Sequence, residues 1–280
     1  MLNLFSEIFS YPFMVRALLV GSLVALCSAL LGVSLVLKRY AMIGDGLSHV
    51  GFGALAVATA LNASPLLISL PIVLIAAMLL LRLSESSKIK GDSAVSIIST
   101  GALAVGVMIV SLTTGMNTDV SNYLFGSILT MSESDVSLSV LISLLVVSMF
   151  VIFYNRIFSV TFDESFAQAT GIKVSTYNTI IAGLTALVIV LGMRLMGALL
   201  ITSLIVFPAL TAMRLCKQFK TVIINSAAVS VVCLWLGVII SYVYATPTGA
   251  SIVICNIIFF LIYFALQKLL ERGQKIGKKK

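Results

Sequence analysis

The stretch LLGVSLVLKRYAMIGDGLSHVGFGALAVA, residues 30–58, decides how this chain folds. An apolar run ends at Leu37, the basic pair Lys38 and Arg39 comes next, and a second apolar run opens at Ala41. Neither run alternates with period two. A membrane admits only helices and closed barrels, and a barrel strand alternates its faces. Continuous apolarity on both sides of a short charged break therefore reads as two spanning helices with a turn at Lys38–Arg39. The rest of the chain repeats this pattern. Of its 280 residues 60% are hydrophobic and only 10% charged, with mean hydropathy +1.16, whereas soluble domains carry about 25% charged residues.

A spanning helix needs roughly 20 apolar residues. Runs of that kind occur at 13–37, 41–61, 65–82, 92–113, 134–154, 175–195, 197–215, 221–244 and 248–267. The expected fold is all-α, a polytopic transmembrane bundle of eight to nine spans, in one integral membrane domain over 1–280 with a lysine-rich tail from about 268. The count turns on two places. Residues 197–215 contain Gly197 and Pro208, and "YLFGSILTMS" at 123–132 reads equally as a short re-entrant helix. No cleavable signal peptide is expected, since the N-terminus shows no basic region ahead of an apolar core.

The formal charge is +8, but its placement argues against a nucleic-acid partner. Sixteen of the 18 Lys and Arg residues fall in five clusters: Lys38 and Arg39; Arg82, Lys88 and Lys90; Arg156 and Lys173; Arg214, Lys217 and Lys220; and six residues from Lys268 to Lys280. Basic residues that border apolar spans mark cytoplasmic loops. "NASP" (62–65), "TGMNTDVSN" (114–122), the turn near Arg194 and "ATPTG" (245–249) then fall outside, which puts the N-terminus out and the C-terminus in. Cys27, Cys216, Cys233 and Cys255 lie in or at the ends of apolar runs and read as packing residues.

Asp45 is the one acidic residue inside an apolar span, away from loop sequence. An ionisable side chain there costs roughly 2.5–3.5 kcal/mol on insertion scales, so it points to function. His49, the only histidine, stands four residues on and shares its helix face. Carboxylate and imidazole together suit Mn²⁺, Fe²⁺ or Zn²⁺ better than Cu⁺. Gly44, Gly46, Gly51 and Gly53 would let neighbouring helices approach and leave space for a pathway. The alternative is that Asp45 caps the helix and His49 bonds to a neighbouring helix. Ser48 points about 100° away from His49, which disfavours a Ser–His relay. Met193 and Met196 are read as lipid-facing or packing residues. Neither a hydrolase elbow nor a phosphate-binding Gly-rich loop is present, so the chain is not expected to be an enzyme; ATP would be bound by another subunit.

The one sizeable polar internal loop is "NRIFSVTFDESFAQATGIKVST", 155–176. Within it 161–171 reads as a short helix: Thr161 can cap it, Asp163 and Glu164 suit its positive end, and Gly171 can stop it. Phe162, Phe166 and Ala169 give it an apolar side. That side either lies on the bundle or docks into a groove on a soluble partner.

Five blocks in order resemble the permease subunits of metal-uptake ABC transporters of the zinc/manganese/iron type. They are residues 30–58, "DVSNYLFGSILTMSESD" (119–135), "FDESFAQATGI" (162–172), "MGALLITSLIVFPALTAMRL" (196–215) and "TPTGASIVICNIIFF" (246–260). The resemblance implies an ATP-driven importer of divalent metal in the bacterial-type cell membrane, with metal as cargo and no tightly bound cofactor. Its implied partners are a second copy of the chain, a cytoplasmic ATP-binding subunit, an extracellular metal-binding solute-binding protein and the bilayer. It places Asp45 and His49 on the metal path and makes Phe162, Asp163, Glu164, Phe166 and Gly171 the segment that touches the ATPase. One Asp and one His are too few ligands for zinc or manganese, and two copies about a two-fold axis would double them. The alternative is a proton-coupled secondary metal transporter in which Asp45 and His49 relay protons, although such carriers usually carry internal repeats and none is evident. A non-transporting scaffold would leave the cost of Asp45 unexplained.

Overall fold

The computed structural model describes residues 10–63, 65–85, 91–113 and 133–277. Nine long helices occur among them: α1 (Pro12–Leu37), α2 (Ala41–Ala60), α3 (Pro65–Glu85), α4 (Gly91–Thr113), α5 (Glu133–Ile152), α8 (Val174–Met196), α9 (Ala198–Leu215), α10 (Phe219–Tyr244) and α11 (Thr248–Gly277). Two short helices, α6 (Tyr154–Phe162) and α7 (Glu164–Ala169), lie between α5 and α8. Seven described helices are long and apolar enough to cross a membrane, an eighth span arises if α5 and α6 are joined, and Leu67–Leu83 within α3 is a shorter apolar stretch. Every expected span is a helix whose ends agree within three residues, apart from the end of α11. The possible re-entrant segment 123–132, the outer loop 114–122, most of the 83–91 loop and Lys278–Lys280 lie outside the described residues.

The main core is a continuous apolar cluster built chiefly by α1, α2, α8 and α9, with two small satellite clusters around Val160 and Cys233. α1, α2 and α8 are largely enclosed by the other helices, whereas α4 and α11 turn most of their surface outward. Such outward faces carry large apolar side chains, among them Ile97, Met108, Leu261 and Leu269, as helices that meet lipid or another chain must. α8 and α9 form a hairpin at Gly197, whose φ of 85° is the left-handed conformation that glycine adopts without strain. Across that turn a Cβ on Gly192 would meet Ile201, so the two helices run back to back.

Two expectations are corrected. Residues 155–160 are helix, not loop: α6 continues from α5 after a bend of 70°. Its average polarity hides an amphipathic pattern, with Ile157, Val160 and Thr161 turned inward. α11 does not stop at 267 but continues to Gly277. Its tail extends the helix through Lys268 over the Phe264 ring at 4.6 Å and through Gln267 donating to Glu271 at 2.9 Å, both at i,i+4 spacing.

The described members of the basic clusters gather at one end of the bundle. Lys38 reaches α6, α7 and α8. Leu81, beside Arg82, lines the same small cavity as Lys38 and Tyr40. Phe219, between Lys217 and Lys220, stacks with Tyr154, Phe158 and Phe162. Arg214 lies over Phe260 and Phe264 of α11. Positive charge on one end is what a cytoplasmic face requires.

Candidate functional site

α2 begins one residue after Tyr40, which occupies the capping position, and Asp45 lies in its second turn. Asp45 is therefore not a helix cap, and that reading of the residue falls. A rise of 1.5 Å per residue puts Asp45 about 6 Å and His49 about 12 Å along the axis from Ala41. Both stand in the half of α2 nearest the basic end. His49 Nε2 lies 3.8 Å from Asp45 Oδ2, and the side chains are 28% and 49% exposed. Two ligand atoms on a tetrahedral zinc ion would stand about 3.4 Å apart at ordinary bond lengths. The pair stands about 0.4 Å beyond that separation. His49 Nδ1 is enclosed and has no hydrogen-bond partner among the described residues. No group of three or more His, Cys, Asp and Glu occurs among the described residues.

The glycines of α2 do not leave space; neighbouring helices fill it. A Cβ on Gly46 would stand 2.6 Å from Val95, and one on Gly53 2.7 Å from the Ala102 carbonyl oxygen, both on α4. One on Gly51 would stand 2.5 Å from the Met193 methyl of α8. α4 and α8 thus grip α2 at its glycines, while Met42, Asp45 and His49 lie along its more open stripe. Met193 and Met196 are buried packing residues and do not face lipid. Ser48 is buried and donates to the Asp45 carbonyl oxygen at 2.7 Å, away from His49.

The five residues of the 162–171 segment divide into different roles. The helix is shorter than expected, Glu164–Ala169, and its cap is Asp163, whose Oδ1 accepts from the Phe166 backbone N–H at 2.9 Å. Thr161 does not cap it; it is buried in the last turn of α6. Gly171, with φ of 82°, ends the helix, and the Gly171 and Ile172 N–H groups donate to Gln168 and Ala167, a closure that needs a left-handed residue. Phe162 leans on Phe158 and Phe219. Phe166 has its ring in the open, 62% exposed. Glu164 is turned back onto the bundle, where Lys38 Nζ donates to its Oε1 at 2.6 Å. An open cleft of about 810 Å³ runs beside α7, lined by Tyr40, Glu164, Gln168, Lys173 and Asn178.

A family model described as the ABC 3 transport family matches residues 10–267. The chain belongs to the ABC 3 transport family. The high-affinity zinc uptake system membrane protein ZnuB of Haemophilus influenzae is 32% identical over 246 residues, covering 88% of this chain and 94% of the relative. The manganese import system permease protein ScaB of Streptococcus gordonii is 29% identical over 268 residues, covering 95% and 96%. The solved PsaBC from Streptococcus pneumoniae in complex with Fab superposes with a TM-score of 0.84 at 27% identity, over 94% of each chain. This ABC 3 family protein is thus a multi-pass membrane permease of the cell membrane and not an enzyme.

Asp45 and His49 were legible in the sequence because spacing four apart is a local signal. Lys38 and Asn178, which meet Glu164 from 126 and 14 residues away, were not. Lys38 reads in sequence as one more basic residue at a span end.

Proposed function

We propose that this chain forms the translocation path of an ATP-driven importer of divalent transition-metal ions. It works as a pair of copies, with a separate cytoplasmic ATPase beneath and an extracellular metal-binding protein supplying the ion. The observation that carries this reading is the Asp45–His49 pair, 3.8 Å apart on the open side of an otherwise tightly held helix. Relatives named for zinc uptake and for manganese import support the class of cargo, and carboxylate plus imidazole accept either ion.

Two ligands from one chain are half of what zinc requires. A second copy about a two-fold axis would supply two more, and a shell assembled from two subunits comes apart when they move. Weak, shared ligation also suits release, which conduction requires. His49 Nδ1, enclosed and unpaired, is a further group such an arrangement would satisfy. Membership of an ABC transport family weighs against the proton-coupled alternative. At the basic end α7 presents Phe166 outward, as an aromatic anchor for a soluble partner is presented.

The test is accumulation of Mn²⁺ and Zn²⁺ by vesicles holding the permease and its ATPase, with and without ATP. Asp45→Ala and His49→Ala each remove one ligand per copy and should cut uptake at least tenfold while assembly and insertion persist. Wild-type uptake by a normally assembled Asp45→Ala variant would end the reading.

A further inference from the structure

Lys38 closes α1, and its side chain is only 5% exposed. A lysine at a helix end ordinarily extends its ammonium to water. Here it turns inward and spends its three donors on the protein. They go to the Val160 carbonyl oxygen in α6 at 3.3 Å, to Glu164 Oε1 at the start of α7 at 2.6 Å, and to Asn178 Oδ1 in α8. Asn178 Nδ2 donates to the same Glu164 oxygen at 3.3 Å and closes the triangle. One charge therefore joins four helices. Burying an ion this way costs several kcal/mol before its partners repay it, so a merely stabilising contact would be better made by apolar residues.

The residues after Lys38 give the arrangement a use. Arg39 stands at φ of 60°, left-handed although it is not glycine. The Arg39 and Tyr40 N–H groups donate to Val36 and Leu35 at 3.1 and 2.7 Å, and the Ile43 N–H donates to Tyr40 at 3.0 Å. These bonds lock the end of α1 to the start of α2 without slack. Asp45 is seven residues beyond Lys38, in the second turn of α2. Glu164 is the first residue of α7, two before the exposed Phe166. A rigid corner thus stands between the surface offered to the ATPase and the Asp45–His49 pair, and a single ammonium holds it.

We propose that Lys38, seated between Glu164 and Asn178, is the positioning residue that passes displacement of α7 to the α1–α2 corner and so to Asp45 and His49. The inference rests on the transport function above. When a partner tilts α7, Glu164 either carries the ammonium along or gives it up. In both cases the corner and the first turns of α2 shift with respect to α8. Phe166 receives the motion, and Lys38 relays it.

The measurement is the number of ATP molecules hydrolysed per ion accumulated, on vesicles containing the permease and its ATPase, with Mn²⁺ or Zn²⁺ as cargo. Binding of the same ion to the solubilised permease and thermal stability are read in parallel. Lys38→Met should raise ATP per ion about tenfold, a coupling of ordinary size, with ion binding retained. Glu164 is half-exposed, so Glu164→Gln folds in any case and should raise the ratio about threefold; Lys38→Arg should hold it within about twofold. Because the two residues act through one contact, the double variant Lys38→Met, Glu164→Gln should be no worse than Lys38→Met alone. An unchanged ratio in Glu164→Gln, effects that multiply in the double variant, or losses that track thermal stability alone would each overturn the relay. Wild-type vesicles without ATP-dependent uptake, or an Asp45→Ala variant that still transports, would instead remove the transport reading beneath it.

Discussion

Gly53 is the glycine of α2 whose space is closed by the backbone of another helix. A Cβ there would stand 2.7 Å from the Ala102 carbonyl oxygen and 3.4 Å from its carbon. Both are backbone atoms, so no side-chain end can swing aside. Gly106 faces the same crossing, where a Cβ added to it would stand 2.9 Å from the Gly53 Cα. Ordinary contact begins near 3.4 Å, so Gly53→Ala must part α2 and α4 by about 0.7 Å at the crossing. Overpacking of this kind costs about 1–3 kcal/mol, partly offset by the roughly 1 kcal/mol that Ala gains over Gly in a helix. Gly101 is the control: it lies on α4 one residue from Ala102, with nothing within 4 Å of its Cβ position. Gly101→Ala should therefore be neutral or stabilising. Thermal unfolding of the detergent-solubilised protein compares the two. Gly53→Ala should melt several degrees lower and should lose uptake, because the helix it displaces carries Asp45 and His49. If Gly53→Ala and Gly101→Ala melt alike, the backbone contact between α2 and α4 is not as described and the gripping of the site helix fails with it.

Two further outcomes are expected. Phe166→Asp places a charge in the position of an exposed ring that the proposed function sets against the ATPase; it should leave the fold intact, since the ring is exposed, and should weaken ATPase binding or raise ATP use per ion, measured on one preparation. Normal assembly and coupling in that variant would move the contact to another part of the basic face. A cysteine introduced at Thr246 should react with impermeant reagent added to intact cells, while one at Ser165 should react only after the membrane is opened; the reverse pattern would invert the topology.

The sequence by itself determined that the chain lives in a bilayer, where its long spans start and, for all but the last, stop, and which end is basic. Hydropathy is an average over some twenty consecutive residues, and each span satisfies its own backbone hydrogen bonds, so neither property needs a neighbour. The pair Asp45 and His49 was legible for the same reason, since i,i+4 residues share a face wherever the helix packs. The tertiary structure alone decided what surrounds that face. The glycines 44, 46, 51 and 53 read as space for a pathway, yet Val95, Ala102, Met193 and Ile205 come from three other helices to fill it. Residues 155–160 read as loop because their polar residues lower the average, and only the burial of Ile157 and Val160 against the bundle makes them a helix. Glu164 read as part of a docking surface, and Lys38 as a marker of topology. That the two meet depends on α1 and α7 arriving at one place from 126 residues apart. No local pattern encodes such a meeting, because the cost of desolvating the ammonium is offset only by three acceptors that the folded bundle brings together.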